Sequence, residues 1–135
     1  MHDLELIRLA KQAREKAYAP YSGFLVGAAL LCADGTVYTG CNIENAAYTP
    51  TNCAERTAFF KAVSEGKREF AAIAIVAGPK NGMLSTTAPC GVCRQVMAEF
   101  CAPDFRILLG GEGEDYTCHT LAELLPCGFG PADLA

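Results

Sequence analysis

The sequence predicts a three-layer α/β/α sandwich around a mixed five-stranded sheet, formed by a single domain of residues 1–135. Helical and strand-like stretches alternate along the chain, and Ala71 to Ala77 is a nearly unbroken apolar run. A strand without polar alternation needs helices on both faces, so this one belongs at the centre of the sheet. The apolar stretch Phe24 to Cys32 meets Ala33-Asp34-Gly35-Thr36 and then a second strand-like stretch, which makes a β-hairpin.

In chain order, Leu4, Ile7, Leu9, Ala10, Ala13 and Ala17 recur at helical spacing until Pro20 intervenes, so residues 3–17 form the first helix. The hairpin follows, with its second strand over residues 37–43. Residues 53–65 make the second helix, with Thr51 or Asn52 available as its cap and Gly66 as its stop. After the central strand, Pro89 introduces a third helix over residues 90–100, which ends before Pro103. Residues 105–109 and 116–118 are strands joined through the polar turn Gly110 to Asp115, a connection short enough for an antiparallel pair. Residues 120–125 give a last short helix ahead of a Gly- and Pro-rich tail.

Composition narrows the function. The 135 residues are 51% hydrophobic, enough for the core of one domain. Net charge is −4, with a pI of about 5.1, so the chain has no basic face to grip a phosphate backbone. The first eighteen residues are charged and amphipathic, and no apolar run reaches the length of a membrane span. That context assigns the eight cysteines to a reducing cytoplasm as free or metal-bound thiols.

Cys53-Ala54-Glu55 and Pro89-Cys90-Gly91-Val92-Cys93 carry the chemistry. Cys53, Cys90 and Cys93 supply three thiolate ligands of a kind that suits Zn²⁺, one ion per subunit. Structural zinc sites are closed by four protein ligands, whereas hydrolytic sites keep one position for water. Cys101, eight residues beyond Cys93, stands roughly 12 Å along the same helix and cannot close the site. Cys53 opens one helix, and Cys90 and Cys93 share the first turn of another. Two helix N-termini therefore face the metal and favour thiolates. Glu55 is placed to exchange protons with the activated water. Three thiolates leave an excess negative charge that Arg56 or Arg94 could offset by donating to sulfur, although an ordinary surface role also suits Arg94.

With these motifs stand Pro20-Tyr21-Ser22-Gly23-Phe24-Leu25-Val26-Gly27-Ala28-Ala29, Gly40-Cys41-Asn42-Ile43-Glu44-Asn45-Ala46-Ala47-Tyr48 and Arg94-Gln95. Together they resemble the cytidine deaminases of the small, homotetrameric type, and the likeness runs from the first helix to nearly the last residue. It implies hydrolytic deamination of cytidine and 2′-deoxycytidine to the uridines and ammonia, in pyrimidine salvage, with Glu55 carrying the proton to N3 and then to the leaving amino group. It also implies that Arg56 donates to the ligand sulfurs, that Asn42 and Glu44 bond the ribose 3′-OH, that Phe24 lies against the pyrimidine ring, and that Ala54 contacts substrate. Tyr48 and Phe129 are implied to reach a neighbouring subunit's site in a homotetramer.

On residue chemistry alone, Phe24 reads as a core aromatic and the Asn42 to Asn45 segment as a polar loop. Strand alternation would put Asn42 and Glu44 on one side, able to grip a single hydroxyl. Cys32, Cys41, Cys101, Cys118 and Cys127 read as small buried hydrophobes, and His2 as frayed terminus. Three other functions compete: deamination of a modified cytosine nucleoside, a non-catalytic zinc-stabilised module, and a nucleic-acid editor. Glu55 argues against the second, and the acidic surface against the third.

Overall fold

A computed structural model describes residues 1–135. The order is α1 (Asp3–Arg14), β1 (Phe24–Cys32), β2 (Val37–Cys41), α2 (Ala54–Ser64), β3 (Phe70–Pro79), α3 (Gly91–Phe100), β4 (Arg106–Gly110), β5 (Tyr116–Thr120), α4 (Leu121–Leu124) and a 3₁₀ turn at Pro131–Leu134. The strands form one sheet in the order β2-β1-β3-β4-β5, with β3 at its centre. Only the β3–β4 pair is parallel, with Ala72 opposite Arg106 and Val76 opposite Gly110. The pairs β1–β2, β1–β3 and β4–β5 are antiparallel. The predicted mixed five-stranded sheet in three layers is the observed fold.

Strand alternation sorts the core into two halves. Ala29, Ala72, Ala74, Val76 and Leu108 face Leu6, Ile7 and Ala10 of α1. On the opposite face Ala28, Leu30, Ile73, Ile75, Ile107 and Leu109 meet α2, α3 and α4 through Ala54, Ala58, Phe59, Ala62, Met97 and Leu121. Phe59 is wholly buried among the rings of Phe70, Phe100 and Phe105, with centroids 5.1, 6.4 and 6.2 Å away. Its burial stabilises the fold by about 1.5–3 kcal/mol and fixes α2 to the sheet. Two glycines let the helices come closer than any side chain would allow. A Cβ on Gly27 would stand 2.0 Å from the Ala10 carbonyl oxygen of α1, and one on Gly40 would stand 2.4 Å from the Ala54 carbonyl oxygen of α2.

Several boundaries differ from the sequence-based ones, each for a local reason. Helix α1 stops at Arg14 instead of residue 17, because Lys16 and Ala17 take i→i+3 bonds to Ala13 and Arg14 and Tyr18 is drawn into a bridge with Ile43. Strand β2 ends at Cys41, and Ile43 pairs instead with Tyr18 and Asn52. The cap of α2 is Cys53, not Thr51 or Asn52, and the Asn52 amide instead donates to Thr57 Oγ1. His2 is not frayed: it caps α1, its Nδ1 accepting the Leu4 N–H at 3.1 Å. Gly66 takes a φ of 94° just past α2, as a helix stop requires. Of the five cysteines expected in the core only Cys32 is buried; Cys41 and Cys101 are half-buried, and Cys118 and Cys127 are exposed. Cys118 sits on β5, an edge strand with an open face, and Cys127 lies in a turn with φ 55°. No helix is long and apolar enough to cross a membrane.

Candidate active site

Cys53 is the residue before the first turn of α2, and Cys90 holds the same position in α3, with Cys93 in that helix's first turn. A serine or aspartate there would bond the helix's free N–H groups, but neither Cys53 nor Cys90 makes a side-chain cap, so both thiols are left for another partner. The ligand atoms of Cys53, Cys90 and Cys93 all lie within 4.8 Å of one another, and the Cys53 and Cys90 sulfurs are 3.7 Å apart. A tetrahedron built on Zn–S bonds of ~2.3 Å has an edge of ~3.8 Å, so the spacing of these thiols fits zinc. Cys101 caps the far end of α3 and is outside the cluster.

Electrostatics around the three sulfurs follow from burial and from Arg56. Hydrogen bonds from the Cys93 thiol and from Arg56 hold the Cys53 thiol down at about 5, against its partial burial. Cys93 keeps its proton more firmly than a free thiol because it donates to Cys53 and is buried. The Arg56 Nη2 group is 3.3 Å from Cys53 Sγ, while its buried Nε has no partner. Glu55 is only 4% exposed, and burial pushes its carboxyl up to about 7, against its own backbone N–H. The Cys93 thiol offsets part of that rise, and Glu55 stands in the first turn of α2 two residues after Cys53. Ala54 is fully buried between ligand and acid, and as the first helical residue it leaves its N–H outside the helix's own bonds.

The polar pair is held differently from the alternation argument, because β2 has ended before it. Asn42 is buried, its Oδ1 accepting the Val26 N–H at 2.9 Å and its Nδ2 donating to the Phe24 carbonyl at 2.8 Å. Glu44 Oε1 accepts the N–H groups of Tyr21 and Ser22 at 2.9 and 3.1 Å, and Oε2 accepts the Ser22 hydroxyl. The Ser22 hydroxyl and these two N–H groups hold the Glu44 carboxyl below its usual range. Paired N–H···O bonds between Ile43 and Asn52, both 3.0 Å, fasten this segment to the residue before Cys53. Phe24 is on the α2/α3 side of the sheet by its parity with Ala28 and Leu30, yet it packs into neither half of the core.

The loop between Asn45 and Thr51 carries Tyr48, which is 72% exposed at a φ of 64° and stands edge-on to Tyr21 at 6.2 Å. Tyr21, Ser22, Glu44, Asn45, Tyr48 and Thr51 line one pocket. Phe129 is far from these in sequence and 57% exposed, its carbonyl held by the Gln95 amide of α3 at 2.8 Å. Arg94 is neither a sulfur donor nor a free surface charge. Its guanidinium donates to Pro89 O at 2.7 Å and Leu124 O at 2.6 Å, tying the start of α3 to α4. Sequence reasoning gave Ser22 no role; its signal was present in the Tyr-Ser-Gly turn beside Phe24, where a short hydroxyl side chain bonds local backbone.

Comparison with known proteins agrees with this geometry. Residues 1–109 match the family model described as the cytidine and deoxycytidylate deaminase zinc-binding region. A cytidine deaminase of Sporosarcina psychrophila is 55% identical over 131 residues, covering 97% of this chain and 93% of that protein. One from Halalkalibacterium halodurans is 56% identical over 129 residues, covering 96% and 95%. The crystal structure of a cytidine deaminase from Burkholderia pseudomallei matches with a TM-score of 0.86 at 51% identity, covering 96% of this chain and 100% of that one. With three thiols spaced for zinc at two helix starts and a family match over most of its length, the chain belongs to the cytidine and deoxycytidylate deaminase family.

Proposed function

We propose that residues 1–135 work as one zinc-dependent catalytic unit that hydrolyses cytidine and 2′-deoxycytidine to the corresponding uridines and ammonia. The observation that carries this reading is the buried Glu55 carboxyl beside three thiols that converge from two helix N-termini. Cys53, Cys90 and Cys93 would hold the metal. When bound, zinc supplies a Lewis acid that makes water acidic enough to act as a nucleophile near neutral pH. Glu55 accepts one proton from the water that adds to C4 and delivers it to N3, then takes the remaining proton of the new C4 hydroxyl and gives it to the exocyclic amino group as the C4–N bond breaks and ammonia leaves. Burial keeps bulk water from competing for that proton.

The remaining residues orient the nucleoside. Phe24 faces the base, consistent with its exclusion from the core, and the Ala54 N–H is free for a substrate acceptor. Asn42 and Glu44 bond the ribose 3′-OH. Recognition at that hydroxyl leaves the 2′ position unselected, which supports use of both nucleosides. Tyr48 and Phe129, exposed in the single chain, complete a neighbouring subunit's site in a homotetramer; exposed Ile43, Phe60 and Val92 on the same loop and helices support such an assembly. Eight unpaired cysteines suit a reducing cytoplasm and a role in pyrimidine salvage.

Purified protein should contain one zinc per chain, deplete cytidine absorbance with release of ammonia, and scatter light as four chains of 14.3 kDa. Zinc-loaded protein that leaves cytidine and deoxycytidine untouched would end this reading.

Arg56 is assigned to offsetting the charge of the three thiolates, on the strength of its 3.3 Å contact with Cys53 Sγ. The expected result for Arg56→Ala is metal affinity lower by about 10–100-fold, with turnover falling in step, since partners of metal ligands carry effects of that size. Competition with a chromogenic zinc chelator measures it, and unchanged zinc retention and turnover would remove the assignment.

A further inference from the structure

We infer that Ser22 is a positioning residue that sets the Glu44 carboxylate for one sugar hydroxyl and registers it to the Phe24 backbone. This rests on the nucleoside-deaminase reading above. The Ser22 hydroxyl oxygen accepts the Phe24 N–H at 3.0 Å, and the same group contacts Glu44 Oε2. An ionised carboxylate has no proton to give, so the direction is fixed: Ser22 O–H donates to Glu44. A carboxylate offers about four acceptor sites, and Tyr21 N–H, Ser22 N–H and Ser22 O–H occupy three of them.

One acceptor site therefore remains on Glu44. Asn42 is committed in the same way. Its Oδ1 is taken by Val26 N–H and one of its two amide hydrogens by Phe24 O, which leaves one donor. One free acceptor and one free donor match a single hydroxyl, which donates to Glu44 and accepts from Asn42. Without Ser22, Glu44 Oε2 regains an acceptor site and a rotation, and the pair no longer matches one hydroxyl. The Tyr21–Gly23 turn is exposed or half-exposed and packs into neither core cluster, so the serine is not there to hold the fold together.

The test compares cytidine with 3′-deoxycytidine by kcat/KM for the zinc-loaded wild type, Ser22→Ala and Ser22→Thr, with thermal melting of each. Ser22→Ala should lower the preference for cytidine over 3′-deoxycytidine by about tenfold, the value of one charge-assisted hydrogen bond. The loss should fall on cytidine, while the 3′-deoxy substrate is nearly unaffected. Ser22→Thr keeps the hydroxyl and should restore the preference. A preference unchanged in Ser22→Ala, or an equal loss on both nucleosides, overturns the assignment while leaving the deaminase reading intact. A wild-type protein that turns over neither nucleoside overturns both.

Discussion

Glu55→Gln is expected to retain the fold and one zinc per chain while losing turnover by about a thousandfold or more. A positioned general acid–base contributes about 10²–10⁴ in rate, and Glu55 is asked to serve twice, for N3 and for the departing amine. Glutamine matches glutamate in shape and fills the same buried site, so packing around Ala54 and Ala58 is unaltered. What disappears is the ability to take up a proton. Since burial already disfavours the charged form of Glu55, the neutral amide should leave the melting temperature equal or higher. Glu55→Asp keeps the acid but withdraws it by one methylene, and misplacement on that scale can cost about a hundredfold. Metal analysis, melting and cytidine turnover on the same preparations give the answer. A glutamine variant within about tenfold of wild type would mean that proton transfer is carried by another group.

Gly27→Ala is expected to be the most damaging single methyl in the chain. The added Cβ would stand 2.0 Å from Ala10 O, 2.5 Å from Arg14 N and 2.8 Å from Arg14 Cα, all backbone atoms of α1 that no rotamer change can move. Either α1 lifts from the sheet, exposing Leu6, Ile7 and Ala10, or β1 bends away from β3. Overpacking of this kind costs roughly 3 kcal/mol or more, a large part of the 5–15 kcal/mol that holds a typical domain folded. Arg14 adds to the damage, because its guanidinium ties α1 to Leu25 O at 3.1 Å and to Gly78 O and Pro79 O at 2.8 Å. Gly91→Ala is the control: its Cβ would meet nothing within 4 Å. A Gly27→Ala protein that melts with the wild type would show that α1 sits farther from β1 than described.

Much of this fold was legible because its signals are local. The apolar run at Ala71 to Ala77, the Asp34-Gly35 hairpin and the Gly66 stop each depend on a few neighbouring residues, and each holds in the structure. The zinc triplet was legible for the same reason: two short motifs specify three thiols at two helix starts. The misreadings involve partners distant in sequence. Arg94 read as either a sulfur donor or a surface charge because its acceptor, Leu124 O, lies thirty residues on. Strand pairing ends before Asn42 and Glu44, so the backbone of residues 21–26, not β2, sets their direction. Cys118 and Cys127 looked like core residues because residue type says nothing about which strand forms the sheet's edge or which residue falls in a turn.

The Ile43–Asn52 bridge gives this enzyme a modular seam. It closes the base of the Asn45–Thr51 excursion, so residues 46–50 hang from the fold as a pendant whose length does not feed into the register of Cys53 behind it. Selection or an engineer could lengthen, shorten or reshuffle that pendant and leave the reactive centre where it was.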